Sequence, residues 1–299
     1  MPDTVAAAAL TFDRPADVQK LLAALADQTH TLHSISLVDA GTADVAEIAG
    51  DSPANVTYIR SLANLGGAGG FSLAILSAMA SGAEWVWIMD DDAFPEDVSC
   101  LEKLLAAANE QGLDVVLPLV VAPGEPDKLS FPFRFDGHLT HDRAEIEQRG
   151  FLKDTGHFFN GALIRTRVFH EVGLPDIRLF IRGDEVDFML RLRAAKIPFG
   201  TLTTVALTHP AGWGEVQHVL GDRLHVLVPE TAFKRFYFYR NRGYLTRKHR
   251  RIRSLVADTV GYPAYFLRRG DLRGLAKWAS TYSAGLRGKK FGPPAEQEF

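Results

Sequence analysis

Trp85-Val-Trp-Ile-Met89-Asp90-Asp91-Asp92-Ala-Phe-Pro95 is an unbroken apolar run that stops on three adjacent carboxylates. A short run rich in aromatic and β-branched residues reads as a buried strand. Three carboxylates at a strand end repel one another, and a cation is the natural compensation. Oxygen donors of this kind suit the hard divalent ions Mg²⁺ and Mn²⁺, which also hold diphosphates. The competing reading is a solvated acidic turn. The place of the triplet, behind a buried-looking strand and ahead of Ala93-Phe94-Pro95, favours the cation.

Outward from this strand the first half of the chain alternates strands and helices. Val5–Thr11, Ser34–Val38, Val56–Ile59, Val115–Leu119, Gly161–Ile164 and Thr203–Leu207 read as strands. Pro15–Leu25, Phe71–Ser81, Val98–Glu110 and Glu185–Ala195 read as helices, and Pro15 suits a first helical turn. Pro123 to His141, rich in Pro, Gly and Asp, reads as a loop or an excursion. Alternation of this kind predicts an α/β fold with a mostly parallel central sheet, in which ligands bind at the carboxyl ends of strands. Thr11, Arg14, Asp39 and Asp90 to Asp92 fall there. Near residue 216 the pattern changes to glycine-broken helical stretches with basic and aromatic residues. This predicts a domain over 1–215 and a helical extension over 216–299.

The 299 residues suffice for one large domain with an appendage. Cys100 is the single cysteine, which excludes an intrachain disulfide and a cysteine-built zinc site and suits a reducing compartment. Met1-Pro2-Asp3 opens without the basic and apolar pattern of a secretory signal, and no apolar run reaches the roughly 18 residues of a membrane span. The net charge of −3 hides an asymmetry: Lys234 to Lys290 holds 16 Lys and Arg against Asp258 and Asp271. Such a segment fits an anionic lipid surface or a pyrophosphate-bearing acceptor, or it is a solvated helical face; nucleic acid is not expected as a partner.

Three further stretches carry chemistry. Asn64-Leu-Gly-Gly-Ala-Gly-Gly-Phe71 is a glycine-rich loop opening a helix, where an anion would be welcome; it lacks the Gly-Lys-Ser/Thr ending of a Walker loop, and a tight turn explains it equally. Arg182-Gly-Asp-Glu-Val-Asp-Phe188 begins a helix with Asp184, Glu185 and Asp187, which serve either as dipole partners or as a source for a general base. His209 follows the strand Thr203–Leu207 and suits a third metal ligand, although a lone histidine is more often structural.

With these parts in order, the chain resembles the inverting family 2 glycosyltransferases of the GT-A fold over residues 4 to about 245. The parts are Thr11-Phe-Asp-Arg14, Asp39, Asn64-Leu-Gly-Gly, Asp90–Asp92, Phe159-Asn-Gly-Ala-Leu-Ile164, Gly183-Asp-Glu-Val-Asp-Phe188 and His209. Within that family it is most similar to bacterial galactofuranosyltransferases of mycobacterial-type cell walls, on the Asp90–Asp92 triplet, on His209 with Trp213 close behind, and on Phe236-Tyr-Phe-Tyr-Arg-Asn241. The length suits the initiating enzyme, which acts on a polyprenyl-diphosphate-linked disaccharide.

The resemblance implies a UDP-galactofuranose donor. It implies nucleotide contacts from Thr11, Phe12, Arg14, Asp39, Asn64, Gly66, Gly67, Asp90 and Asp91, with Asp39 on the uracil edge. It implies Mn²⁺ or Mg²⁺ on Asp90, Asp92 and His209, and a catalytic base at Glu185 with Asp184 beside it. His157, Phe158 and Trp213 would border the acceptor. Two departures stand out: Ala40-Gly-Thr-Ala-Asp44 replaces an Asn-rich turn, and Glu185 stands where Asp is frequent. A dTDP-rhamnose-dependent rhamnosyltransferase and an inactive nucleotide-sugar-binding protein are the alternatives. A cytoplasmic protein held on the inner face of the membrane is expected. Arg247, Lys248, Arg250, Arg251 and Arg253 would meet anionic lipid, with Tyr262, Tyr265, Phe266, Trp278 and Tyr282 half-buried among headgroups.

Overall fold

Val5–Thr11 and Val115–Ala122 are buried along their whole length, the mark of strands covered on both faces. The computed structural model, which describes residues 3–135, 137–221 and 224–292, sets them in an 11-stranded sheet. Along its main path the strands run Val56–Arg60, Ser34–Asp39, Val5–Thr11, Trp85–Asp90, Leu163–Arg165, Val115–Ala122, Phe199–Thr208 and Phe94–Pro95. The first four pair in parallel, as do Val115–Ala122 and Phe199–Thr208. Leu163–Arg165 runs antiparallel between the two groups.

Side-chain alternation on Trp85–Asp90 builds both layers of core. Trp85, Trp87 and Met89 pack with Val18, Leu21 and Leu25 of helix Pro15–Ala26 and with Leu101 and Leu104 of helix Cys100–Gln111. Val86 and Ile88 face the other way, toward Phe71, Ala74 and Ile75 of helix Gly66–Ala80 and toward Phe188 and Leu192.

Two sequence expectations need correction. Helix Gly66–Ala80 starts five residues ahead of the expected Phe71, so the glycines form its first turns. Pro123 to His141 is not a loop: Glu125–Phe135 and His138–Asp142 pair antiparallel, and the first also pairs with Val115–Ala122. Leu129 and Phe133 anchor this hairpin on Leu119 and Val121, a short apolar signal masked by the prolines around it.

The chain divides into two compact units, Met1–Pro175 with Phe188–Ala211, and Asp176–Asp187 with Gly212–Phe299. The division after Ala211 falls close to the boundary read at 215. The segment Asp176–Asp187, read as part of the first domain, groups with the second unit.

The second unit holds the hairpin Val216–Val219 and Leu224–Leu227 and the helices Ala232–Lys248, Ile252–Arg268 and Leu272–Leu286. Its core is aromatic: Tyr239, Tyr262, Phe266, Trp278 and Tyr282 with Val219 and Val226. Trp278 stacks between Tyr262 and Tyr282, with ring centroids 5.2 and 5.4 Å away. Tyr262, Phe266, Trp278 and Tyr282, expected among lipid headgroups, are therefore interior residues, because only mutual packing gives three short helices a core.

Helices Ala232–Lys248 and Leu272–Leu286 cross on glycine. A Cβ on Gly285 would lie 1.9 Å from the Arg240 carbonyl oxygen, and one on Gly243 would lie 2.2 Å from that of Tyr282. Gly285→Ala must push backbone from backbone, so it should destabilise by about 1–3 kcal/mol and lower the melting temperature. Gly50→Ala, whose added Cβ meets nothing within 4 Å, serves as control. Equal melting temperatures for the two variants would contradict this packing.

Candidate active site

Register brings the polar strand ends together: Thr11 lies opposite Asp39, Leu10 opposite Asp90, and Asp39 opposite Arg60. Asp39 is wholly buried. One of its oxygens accepts from the Gly41 N–H at 3.0 Å; the other accepts from the Tyr58 hydroxyl at 2.9 Å and pairs with Arg60. Burial and then Asp39 and Asp44 push the Tyr58 hydroxyl up to about 12. Both Asp39 oxygens are engaged and shut away from solvent, where a contact to the uracil edge was expected, and Arg60 is 28% exposed. Asp13, at φ 58°, accepts from the Thr42 hydroxyl and the Ala43 N–H, both at 2.8 Å, and ties the loop after Thr11 to Ala40–Asp44.

Asp91 is a strut. It accepts from the Thr11 hydroxyl at 2.9 Å, the Phe12 N–H at 3.2 Å and Arg14 at 2.8 Å. With these bonds made and 2% exposed, it holds the Thr11–Arg14 loop, where a direct nucleotide contact was expected. Thr11 is spent in the same way. Phe12 and Arg14 keep exposed side chains. Asn64 accepts from the Gly66 N–H at 2.8 Å, and Gly66 adopts φ 65°, so this turn requires glycine, while Gly67 is half-buried beside it.

Asp90, Asp92 and His209 each offer a ligand atom, all within 4.8 Å of one another. A two-residue strand explains the meeting: Phe94–Pro95 pairs antiparallel with Leu207–Thr208, which sets Asp92 beside His209. Asp92 Oδ1 is 3.2 Å from His209 Nε2, yet it is a buried oxygen with no hydrogen-bond partner. Arg14 pairs with the other oxygen. Burial, then the charges of Asp92 and Asp91, push Asp90 up to about 7. Burial also raises Asp92, but His209 and Arg14 outweigh it and hold that carboxyl below its usual range. Burial works against charge on His209, while Asp92 and Asp90 outweigh it and raise its pKa.

The His209 Nδ1 lies 2.7 Å from the Pro210 carbonyl, which accepts from it, so Nε2 is the nitrogen turned to the carboxylates and the one free to ligate when the ring is neutral. Ser130 donates to the His209 carbonyl at 2.6 Å, and Phe131 packs on the ring. Two carboxylates and an imidazole with an orphaned oxygen among them fit Mn²⁺ or Mg²⁺.

Of the residues expected at the acceptor, Phe158 is 3% exposed among Phe188 and Phe199, so it is a core residue and cannot border a ligand. His157 packs on Phe131 and Phe133 with a buried Nε2 lacking a partner. Burial, then His141 and His209, lower its pKa to about 4, so the ring stays neutral.

Asp184, Glu185 and Trp213 belong to the second unit. Asp184 is 3% exposed and Glu185 half-buried. Burial, then the neighbouring Glu185, hold the Asp184 carboxyl well above its usual range. The segment before them is clamped. Arg182, at φ 62°, makes a two-pronged ion pair with Glu215 at 2.6 and 2.8 Å. Asn241 donates to the carbonyls of Leu179 and Ile181 at 2.9 and 2.8 Å, and buried Arg240 donates to that of Leu179 at 2.7 Å. Asp187, wholly buried, accepts from Lys248 at 2.7 Å and His249 at 2.8 Å. Sequence reasoning missed Arg60, Tyr58, Asp13, Arg240 and Asn241 as supports. The Arg-Asn pair in Phe236–Asn241 was the visible signal for the last two.

The sequence profile described as Glycosyl transferase family 2 matches residues 9–173. Galactofuranosyltransferase GlfT1 of Mycobacterium tuberculosis (strain CDC 1551 / Oshkosh) is 38% identical over 302 residues, covering 98% of this chain and 99% of the relative. That of Mycolicibacterium smegmatis is 39% identical, covering 85% and 87%. Among solved structures, S. aureus TarS 1-349 matches at TM-score 0.59 with 13% identity, covering 94% of this chain and 80% of that one, a likeness of fold.

Mn²⁺ titration followed by electron paramagnetic resonance checks the cation group. Wild type should bind the ion, and Asp92→Asn, which keeps shape and removes charge, should weaken it by at least about tenfold given the loss of one of two anionic ligands. Unchanged Mn²⁺ binding by the variant would contradict the assignment.

Proposed function

The chain belongs to glycosyl transferase family 2, with a GT-A fold and C-terminal helices, and from that premise we propose that it transfers galactofuranose from UDP-galactofuranose to a polyprenyl-diphosphate-linked disaccharide, with inversion, initiating a cell-wall galactan. The observation that carries the reading is 38% identity over nearly the whole of both chains to a protein named galactofuranosyltransferase. A lipid-linked acceptor puts the reaction on the cytoplasmic face of the membrane, in keeping with the basic segment Lys234 to Lys290.

Asp90, Asp92 and His209 would hold Mn²⁺ or Mg²⁺. When bound, that ion supplies positive charge to the departing nucleoside diphosphate. Arg14, half-exposed beside Asp92, adds a second positive group to the same anion. Arg60, Phe12 and the turn at Asn64 to Gly67 line the nucleotide. Glu185 accepts the proton of the acceptor hydroxyl. The hydroxyl oxygen bonds to the anomeric carbon as the bond to the diphosphate breaks on the opposite face, and the electron pair leaves with the diphosphate. Buried Asp184, hydrogen-bonded to Glu185, fixes its orientation. His157 and Trp213 border the acceptor. No residue of the enzyme becomes covalently linked to the sugar.

The test measures product formation with UDP-galactofuranose and with dTDP-rhamnose, on wild type and Glu185→Gln. Wild type should use the UDP donor, and Glu185→Gln should retain donor binding while its rate falls by roughly 10² to 10⁴. Turnover with dTDP-rhamnose alone would make the chain a rhamnosyltransferase. Donor binding without turnover on any acceptor would make it a binding protein. Full activity of Glu185→Gln alongside an inactive Asp184→Asn would reassign the base.

A further inference from the structure

Helix Ile252–Arg268 is apolar on two opposite sides. One side, with Gly261, Tyr262 and Phe266, is buried in the aromatic core of its unit. At about 100° per residue the other side carries Ile252, Val256, Val260 and Leu267, which are 71, 57, 46 and 57% exposed. A helix lying on a protein surface normally turns a polar face to water, and one that is apolar all round is normally covered. Among the described residues nothing covers this ridge, and contiguous exposed apolar surface marks a site of interaction.

The charges around the ridge select what covers it. Arg250, Arg253, Arg268 and Arg269 are exposed at its ends and along one edge. The single acid within the helix, Asp258, is 1% exposed and faces inward, where Arg242 donates to it at 2.7 Å and the Tyr282 hydroxyl at 3.1 Å. No carboxylate of the helix offsets the cations at the surface. At the C-terminal end a cavity of about 330 Å³ is lined by Gln217, His218, Val219, Tyr265, Arg268 and Arg269. Arg269 lies 4.7 Å over the Tyr265 ring and donates to Gln217 at 3.2 Å, so one wall of the cavity is a held guanidinium. Leu220 and Leu272, next in sequence to Val219 and near the helix end, are also exposed.

We propose that the Ile252–Leu267 ridge and the cationic cavity at its end form a docking face for an anionic phospholipid surface, the ridge entering the boundary of headgroup and acyl chain and the cavity taking a lipid phosphate. An apolar stripe with flanking cations is the pair of signals that gives reversible attachment in the plane of a membrane. None of the helices searched is long and apolar enough to cross one. A second copy of the chain fits less well, since pairing through the ridge would bring the Arg253 and Arg268 cations of both copies together at one seam. The inference deepens the proposed membrane-bound acceptor but rests on this unit's own surface, and it replaces the buried aromatics as the lipid-facing groups.

The experiment is co-sedimentation of the full chain with vesicles of phosphatidylcholine alone and of phosphatidylcholine with phosphatidylglycerol. Wild type should bind the anionic vesicles far more strongly. The variant Ile252→Gln/Val256→Gln/Leu267→Gln should bind them at least about tenfold more weakly, and Arg268→Gln/Arg269→Gln about fivefold more weakly per charge removed. Both variants should keep the wild-type melting temperature. Equal binding to the two vesicle types, undiminished binding by the ridge variant, or a wild-type dimer that the ridge variant dissolves would each overturn the proposal. Lipid binding is read without donor or turnover, so a wrong sugar assignment leaves this result intact, and a negative result here leaves the sugar assignment intact.

Discussion

Negative charge gathered at the ends of parallel strands is the constraint on which the rest of the first unit depends. Asp39 ends one strand and Asp91 and Asp92 follow another, with Val5–Thr11 between the two, and they are 0, 2 and 9% exposed. A carboxylate shut away from water is costly unless it is paired and hydrogen-bonded. The chain meets this demand for Asp39 with Arg60 and Tyr58, and for Asp91 with Thr11, the Phe12 N–H and Arg14. Asp90 and Asp92 receive much less, and Asp90 is driven up to about 7 by its burial and then its neighbours' charge. Compensation is nearly complete for two of the carboxylates and incomplete where His209 turns its Nε2 toward the others. That asymmetry marks the candidate cation site.

The same constraint explains the irregular parts of the sheet. Phe94–Pro95 is too short to add a useful layer, yet its pairing with Leu207–Thr208 is what sets Asp92 beside His209. The Glu125–Phe135 strand adds the Ser130 hydroxyl under the His209 carbonyl and Phe131 against its ring. In the second unit, Arg240, Asn241 and the Arg182–Glu215 pair hold the approach to Asp184 and Glu185, with Lys248 and His249 on Asp187 behind it.

Much of this was legible in the sequence where period and position spoke together. The apolar run ending at Asp90 and the strand before His209 pointed to the sheet and to the group of Asp90, Asp92 and His209 that could hold a cation. What was not legible depended on distance in the chain. Nothing near Asp39 announces that Arg60 and Tyr58 will pair with it, because their strand is placed by pairing and carries no motif. The hairpin over Glu125–Asp142 was hidden by prolines that also suit loops. The misreading of Phe158 and of the C-terminal aromatics has one cause: aromatic side chains serve core and ligand surface alike, and only burial separates the two. Ile252, Val256 and Val260 drew no attention because an apolar face at helical spacing is ordinarily a core face.

Coupling between nucleotide and cation tests the central claim most directly. UDP binding would be measured by calorimetry in Mn²⁺ and again in a strong chelator, and Mn²⁺ binding with and without UDP. If Asp90, Asp92 and His209 hold an ion that meets the diphosphate, each ligand should strengthen the other by the same factor, about tenfold or more. UDP affinity that is identical with Mn²⁺ and with chelator would contradict the account.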